Sequence, residues 1–385
     1  MQDIVIAGVG QTPVGEHWDL SLRQLARDAV RSALKDSGGL VPQAMFIGNM
    51  LAPQLSRQAH LGPLLATYLG MDGIEAFTLE AAGASGGAAV RAGYLAVASG
   101  QAEVALVVGV EKFTDQVGSS VDAAAATAGD SDWEAVQGVT PASQAALLMR
   151  RYLYESGAPR QAFGGFSLNA HANAIGNPNA MFRKPVTPEI YARAGMVSDP
   201  LNLFDVAPNA DGAAALVITR ANLLPKNFPH PLVRIAGSGA ATDTLALHDR
   251  VDLLDFLAAR LSLQRACAKA RITPVQADFF ELHDAFSIFA ALSLEAAGFA
   301  ERGHGWKLAG GAEIRTGGCM PLSTMGGLKA RGNPGGAAGV YQTVEAVLQL
   351  RGQAGDCQLV GARRGLIQSL GGPASVAFTH ILEAL

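Results

Sequence analysis

Two kinds of apolar patterning alternate along this chain. Short continuous runs such as Ile4-Val5-Ile6-Ala7 and Val104-Ala105-Leu106-Val107-Val108 are separated by longer stretches in which apolar residues recur at helical spacing. Continuous apolar runs suit strands covered on both faces, and helical spacing suits amphipathic helices between them. In the first half this predicts a strand at 3–9, a helix over 21–37, a strand at 44–50, a helix at 59–69 and a strand at 76–81. A Gly-rich turn, a helix over 86–99 and a strand at 104–108 follow. The second half predicts a strand at 231–236, a helix over 252–271, a strand at 277–282 and a helix over 287–298. After the Gly-rich segment 326–336 come a helix over 335–352 and strands at 358–369 and 374–382.

The same order of elements therefore occurs twice, which implies two βαβ-rich α/β halves packed against each other. Residues 116–199 interrupt the repeat with Ala123-Ala124-Ala125-Ala126, the turn-prone Gly129-Asp130-Ser131-Asp132 and the spaced asparagines Asn169, Asn173, Asn177 and Asn179. Only 142–156 reads clearly as a helix there, so the segment is expected to be a lid. The expected division is an N-terminal half of residues 1–115 plus 200–228, a lid of 116–199, and a C-terminal half of 229–385.

Composition narrows the function classes. With 49% hydrophobic and 16% charged residues, the 385-residue chain can fill two large cores, and its 45 glycines suit close helix–sheet packing. A net charge of −4 and the lack of a Lys/Arg stripe argue against nucleic-acid binding. Cys267, Cys319 and Cys357 have no C-x-x-C spacing and no histidine partners, so neither a disulfide framework nor a metal site is indicated. The N-terminus opens directly as a strand without a leader pattern, and no long apolar stretch suggests a membrane span. A cytoplasmic protein is expected.

The chemistry gathers around Glu80-Ala81-Ala82-Gly83-Ala84-Ser85-Gly86-Gly87, a strand entering a Gly-rich turn and then a helix. Its companions are Gly109-Val110-Glu111-Lys112, Phe182-Arg183-Lys184-Pro185, Asp211-Gly212-Ala213-Ala214-Ala215, His283-Asp284-Ala285-Phe286 and Gly326-Gly327-Leu328-Lys329-Ala330-Arg331-Gly332-Asn333-Pro334. In these segments and in their order the chain resembles the thiolase superfamily, in the branch of sterol-carrier-type and archaeal acetyl-CoA acetyltransferases. The resemblance implies the thiolase fold, two repeated α-β-α-β-α halves with a lid insertion, and chemistry next to a coenzyme A thioester.

Against that pattern the chain lacks reactive atoms. The family places a nucleophilic cysteine at Gly83, where a thiolate at a helix N-terminus accepts the acyl group. It places a histidine at Asn333 and, in several members, a second cysteine near Gln368-Ser369-Leu370-Gly371-Gly372, with Gln368 the expected counterpart. Cys319 would have to fold back several residues to substitute. What the resemblance leaves is His283, whose imidazole would help hold a thioester oxygen as it becomes an enolate, and Asn333, whose amide can donate to the same oxygen but cannot accept a proton. Gly83, Ser85, Gln368 and Gly371 are expected to line the substrate site. Tyr341, early in the helix after Asn333, is the candidate proton carrier, with a packed core aromatic as the competing reading.

Thiolysis and Claisen condensation need an acyl acceptor on the enzyme. Aldol cleavage of a β-hydroxyacyl thioester needs only enolate stabilisation and proton transfer. The losses make the chain similar to thiolase-like steroid side-chain aldolases, and the leading expectation is non-covalent aldol or retro-aldol chemistry on a CoA thioester. The alternatives are an acyltransferase in which Gly83 stands for a natural cysteine, and a non-catalytic CoA-ester or lipid-binding subunit. No cofactor beyond the CoA of the substrate is expected. By resemblance, Ser238 and Thr242 would line the pantetheine tunnel. Arg183 and Lys184 would meet CoA phosphates or simply face solvent. The strand at 76–82 would pair two subunits into a homodimer, and a small OB-fold/zinc-ribbon protein is a possible partner.

Overall fold

The computed structural model describes residues 3–385. The first half runs β1 (Ile4–Gln11), α1 (Leu22–Asp36), β2 (Ala44–Gly48), α2 (Ala52–Leu55), α3 (Leu61–Leu69), β3 (Glu75–Leu79), α4 (Ser85–Ser99) and β4 (Val104–Glu111). The insertion carries α5 (Ser119–Ala126), α6 (Pro141–Ser156), α7 (Gly164–Asn173), α8 (Pro188–Arg193) and the small hairpin β5 (Met196–Ser198) with β6 (Leu201–Asn202). The chain returns to the sheet as β7 (Gly212–Arg220). The second half runs β8 (Val233–Thr242), α9 (Leu257–Ala270), β9 (Phe279–Glu281), α10 (Ser287–Ala296), α11 (Gly305–Ala309), α12 (Ala338–Arg351), β10 (Arg364–Gly371) and β11 (Val376–Ala384).

The large strands form one nine-stranded mixed sheet in the order β3-β2-β4-β7-β1-β8-β11-β10-β9. Read outward from its middle, the first half gives β1-β7-β4-β2-β3 and the second gives β8-β11-β10-β9, so the predicted repeat is present as two matching α/β halves. The counterpart of β3 in the second half is reduced to a single parallel bridge, Phe280 to Leu322. Only Val5–Arg234 and Ile6–Val233 pair β1 with β8 and join the halves through the sheet.

The halves meet mainly through helices α4 and α12, which lie between the layers. Thirteen of the 14 residues of α12 are buried, so it is apolar or satisfied on every side rather than amphipathic. The helices approach where glycines face each other: a Cβ at Gly86 would stand 2.8 Å from the Val340 amide nitrogen, and one at Gly339 would collide with Gly87. That close contact brings the N-termini of both helices to one place.

β8 extends to Thr242, past the strand end at 236 that the apolar pattern predicts. Gly237 and Gly239 are strand residues: a Cβ on either would run into the backbone of α9 at Ala266 or Ser262. Glycine here lets a helix lie close on a strand instead of marking a turn.

Candidate active site

The turn that ends β3 is held in a strained backbone conformation. Ala82, a non-glycine residue, has φ of 49°, and its N–H donates to Glu80 Oε1 at 2.6 Å. Ser85 Oγ closes the turn, accepting from the Ala81 N–H at 2.9 Å and donating to the Ala82 carbonyl at 2.6 Å. Strain of this kind persists only where neighbours over-determine it, and it often marks a functional site. The next residue, Gly83, has no left-handed backbone requirement. A Cβ there would lie 2.9 Å from the Leu370 carbonyl oxygen, 3.1 Å from His283 Cε1 and 3.2 Å from His283 Nε2. A side chain at residue 83 would thus point straight at the imidazole.

His283 follows β9 and is buried. Desolvation, reinforced by the buried Arg331 guanidinium, lowers its pKa to about 3, so the ring is neutral at physiological pH. Its Nδ1 is buried without a hydrogen-bond partner among the described residues. An N–H with no acceptor is costly to bury, which favours the tautomer with the hydrogen on Nε2, the nitrogen facing Gly83.

Asn333 is fixed through its backbone: its N–H donates to the Pro208 carbonyl at 2.9 Å and its carbonyl accepts from Ala210 at 3.1 Å. Its Oδ1 is buried without a donor, while its side chain lines the same cavity as Gly83 and His283. The turn after it is clamped by Glu111, at the end of β4. The Glu111 carboxylate accepts from Asn49 Nδ2 at 2.9 Å, Met50 N–H at 2.8 Å, Leu51 N–H at 3.1 Å and Gly336 N–H at 3.0 Å. Burial pushes its pKa up to about 7, against the opposing pull of these donors.

The cavity measures about 200 Å³. Gly83, His283 and Asn333 line it together, its walls are apolar with Leu51, Phe113, Val206, Phe286, Phe289 and Leu370, and the lid contributes residues of α5 and α6. Among the described residues, no lysine, arginine or cysteine side chain lines it. Two potential hydrogen donors therefore converge on an apolar chamber at a helix N-terminus, an arrangement able to hold an oxygen that gains negative charge.

Comparison with known proteins shows residues 4–222 matching the thiolase N-terminal domain and residues 239–384 matching the thiolase C-terminal domain-like family. The chain belongs to the thiolase superfamily. Among its relatives, an acetyl-CoA acetyltransferase of Methanothermobacter thermautotrophicus is 41% identical over 385 residues, covering 100% of both chains. The 17-hydroxy-3-oxo-4-pregnene-20-carboxyl-CoA lyase of Mycobacterium tuberculosis is 30% identical over 367 residues, covering 90% of this chain and 91% of that protein. The solved Ltp2-ChsH2(DUF35) aldolase matches with a TM-score of 0.84 at 25% identity, covering 99% of this chain and 98% of that one.

Within this thiolase scaffold several expected site residues lie elsewhere. Tyr341 is fully buried, with its hydroxyl donating to the Thr12 carbonyl at 2.9 Å and its ring under Arg331 at 4.9 Å. Burial raises its pKa further. It faces β1 and β7 rather than the cavity, so it is a core aromatic and not the proton carrier. Gln368 lies on β10 with its amide donating to the Ala259 carbonyl and Thr379 Oγ1, both at 3.0 Å. The cavity is instead reached by Leu370, Gly372 and Pro373. Ser85 fastens the turn rather than lining the cavity, and Gly371 backs it, since a Cβ there would collide with the Ala81 carbonyl.

Ser238 is buried inside β8 and accepts from Arg91 at 2.9 Å, which removes it from any tunnel wall. Thr242 is exposed and pairs with Val376, beside the 372–375 turn at the rim. Arg183 and Lys184 are exposed and lie outside the cavity lining, as does the exposed Cys319. The sequence reading missed Thr140, Gln144, Asn209, Phe286 and Phe289, all of which line the cavity. Phe286 lay in view within His283-Asp284-Ala285-Phe286; the lid residues carried no signal, because only folding brings α6 over the site.

Proposed function

We propose that this protein makes or breaks a carbon–carbon bond on a CoA thioester by aldol-type chemistry, without an acyl-enzyme. The observation that carries this reading is Gly83: the position that points at His283 Nε2 has no side chain, and no cysteine among the described residues lines the cavity. In the cleavage direction the β-hydroxyl loses its proton, the Cα–Cβ bond breaks, and the electron pair flows into the thioester as an enolate. A ketone or aldehyde departs, and protonation at Cα completes the reaction. The enolate oxygen takes hydrogen bonds from the Asn333 amide and the neutral His283 Nε2–H; a neutral imidazole is a competent electrophile of this kind. Of the lining side chains, Asp122 on α5 is the carboxylate available to receive the hydroxyl proton.

The lyase among the relatives and the aldolase among the structural neighbours support this reading. The second reading is acyl transfer, favoured by 41% identity to an acetyl-CoA acetyltransferase over the whole chain. The edge strand β3, with Phe77 exposed, suits pairing with a second copy. The DUF35 component named in the aldolase structure supports a small OB-fold/zinc-ribbon partner here.

The test is mass-spectrometric identification of products from β-hydroxyacyl-CoA and β-ketoacyl-CoA esters, with and without free CoA. Cleavage of a β-hydroxy ester without free CoA, lost in His283→Ala, is the expected result. Cleavage of β-keto esters alone, and only with free CoA, would establish acyl transfer instead.

A further inference from the structure

The lid gives the cavity a second polar wall, on residues other than Gly83, His283 and Asn333. The 16-residue helix α6 begins there, and Thr140, Pro141, Ala142 and Gln144 all line the wall. The Thr140 cap satisfies the Ser143 N–H through its hydroxyl at 3.3 Å and the Gln144 N–H through its carbonyl at 2.9 Å. Proline at the first position has no N–H to offer. The Ala142 N–H is left without an acceptor among the described residues, and the positive end of the helix dipole lies at the same point.

An independent observation marks the same spot. Gln144 is only 5% exposed, lines the cavity, and its carboxamide makes no hydrogen bond within the described chain, although its neighbours Thr140, Ser143 and Glu134 are all engaged. The residue is buried as a whole and borders the cavity, so its carboxamide is free to meet a bound group. A primary amide and a free N–H within the first turn of one helix, both bordering the cavity, make a receptor for an oxygen acceptor.

The charge on the walls decides which oxygen. Among the described residues the cavity is lined by no lysine or arginine and its histidine is neutral, whereas Asp122 supplies a carboxylate. A carboxylate would enter against that charge with no cation to meet it, while a neutral carbonyl or hydroxyl oxygen would not be opposed. Size bounds the rest: a cavity of about 150 Å³ can hold a benzene ring, so about 200 Å³ suits one substituted ring or a comparable branched chain.

We infer that the acyl group this protein takes is an apolar, single-ring-sized unit with a neutral oxygen at its far end, received by the N-terminus of α6 and Gln144. This rests on the reading of the cavity as a CoA-thioester site and names the acyl class within it. Gln144 is then the residue that sets specificity for the distal oxygen. A site built to bond a substrate oxygen rejects the analogue lacking it far more strongly than an apolar pocket rejects a missing methylene.

Binding tests this without requiring turnover. The affinities of the full-length protein for 4-oxocyclohexylacetyl-CoA, cyclohexylacetyl-CoA, 4-carboxycyclohexylacetyl-CoA and CoA alone are measured by isothermal titration calorimetry. The oxo ester is expected to bind at least tenfold more tightly than its deoxy analogue, and the carboxylate ester more weakly than the oxo ester. Gln144→Leu should abolish the oxo preference while leaving affinity for CoA alone within about twofold. Gln144→Glu, close in volume but unable to donate when ionised, should also lose it and serves if the leucine variant does not fold. Equal affinity for the oxo and deoxy esters, a preference for the carboxylate ester, or a preference that survives both variants would overturn the inference and leave the CoA-thioester reading standing. Failure of every ester to bind more tightly than CoA would overturn both.

Discussion

A methyl group at Gly83 would stand 2.9 Å from the Leu370 carbonyl oxygen and about as close to the imidazole of His283 as any Cβ can approach a neighbour. Gly83→Ala should therefore press the ring away from the reacting oxygen. Turnover is expected to fall by at least tenfold with stability lower by about 1–3 kcal/mol, checked by steady-state kinetics and urea unfolding; unchanged turnover would remove the imidazole from the reaction. Tyr341→Phe is the opposite case. Its hydroxyl bonds only to Thr12, so turnover should be unchanged while stability falls by about 1 kcal/mol. The burial of His283 also has a pH signature. Its folded-state pKa of about 3 lies below the ordinary 6.5, so the unfolded chain binds the proton first as pH falls. The neutral ring's burial is cost-free above about pH 6.5 and becomes progressively destabilising below it. His283→Gln should lack that component, gaining on the order of 1–2 kcal/mol relative to the native chain between pH 7 and pH 5, read as the change in their difference in unfolding free energy. At this scale the sequence disclosed the residues that sit in named turns, Gly83, His283 and Asn333. It misassigned Tyr341 and Gln368 because adjacency along a helix or strand does not say which way a side chain faces.

Element by element, the legible parts were those whose burial leaves a one-sided or continuous apolar trace. α1 and α4 fall within a residue of their expected bounds, and β4 extends only past its C-terminal bound. β8 was cut short because its glycines serve helix contact, and α12 hid the direction of Tyr341 because nearly all of its residues are buried. The connection between elements that shapes the site is Glu111, whose carboxylate ties the loop after β2 to the turn before α12. Glu111→Gln replaces an acceptor oxygen with a donor that faces other donors. The variant should lose about 1–3 kcal/mol, and amide hydrogen exchange should accelerate together at residues 49–51 and 335–336. Acceleration confined to one segment would show that Glu111 does not couple them.

At the scale of the whole molecule, the repeat puts Gly83 on one half and His283 and Asn333 on the other, so the cavity exists only at their junction. Through the sheet that junction is two residue pairs; beyond the sheet it includes the glycine contact of α4 with α12, the reach of Arg91 to Ser238, and the bonds of Glu111 to Gly336 and of Arg351 to Asp36. The covalent link between β7 and β8 runs through the exposed residues Pro225, Lys226 and Asn227. Fragments 1–226 and 227–385, produced together, should reassemble and bind CoA esters, while neither should bind alone; binding by a single fragment would place the site within one half. The buried contact of α4 and α12 gives the cut protein a further property. Divided at that exposed linker, it becomes a two-body system whose active fraction rises with concentration, as any association equilibrium does. The unbroken chain is freed from dilution by a tether that touches none of the chemistry.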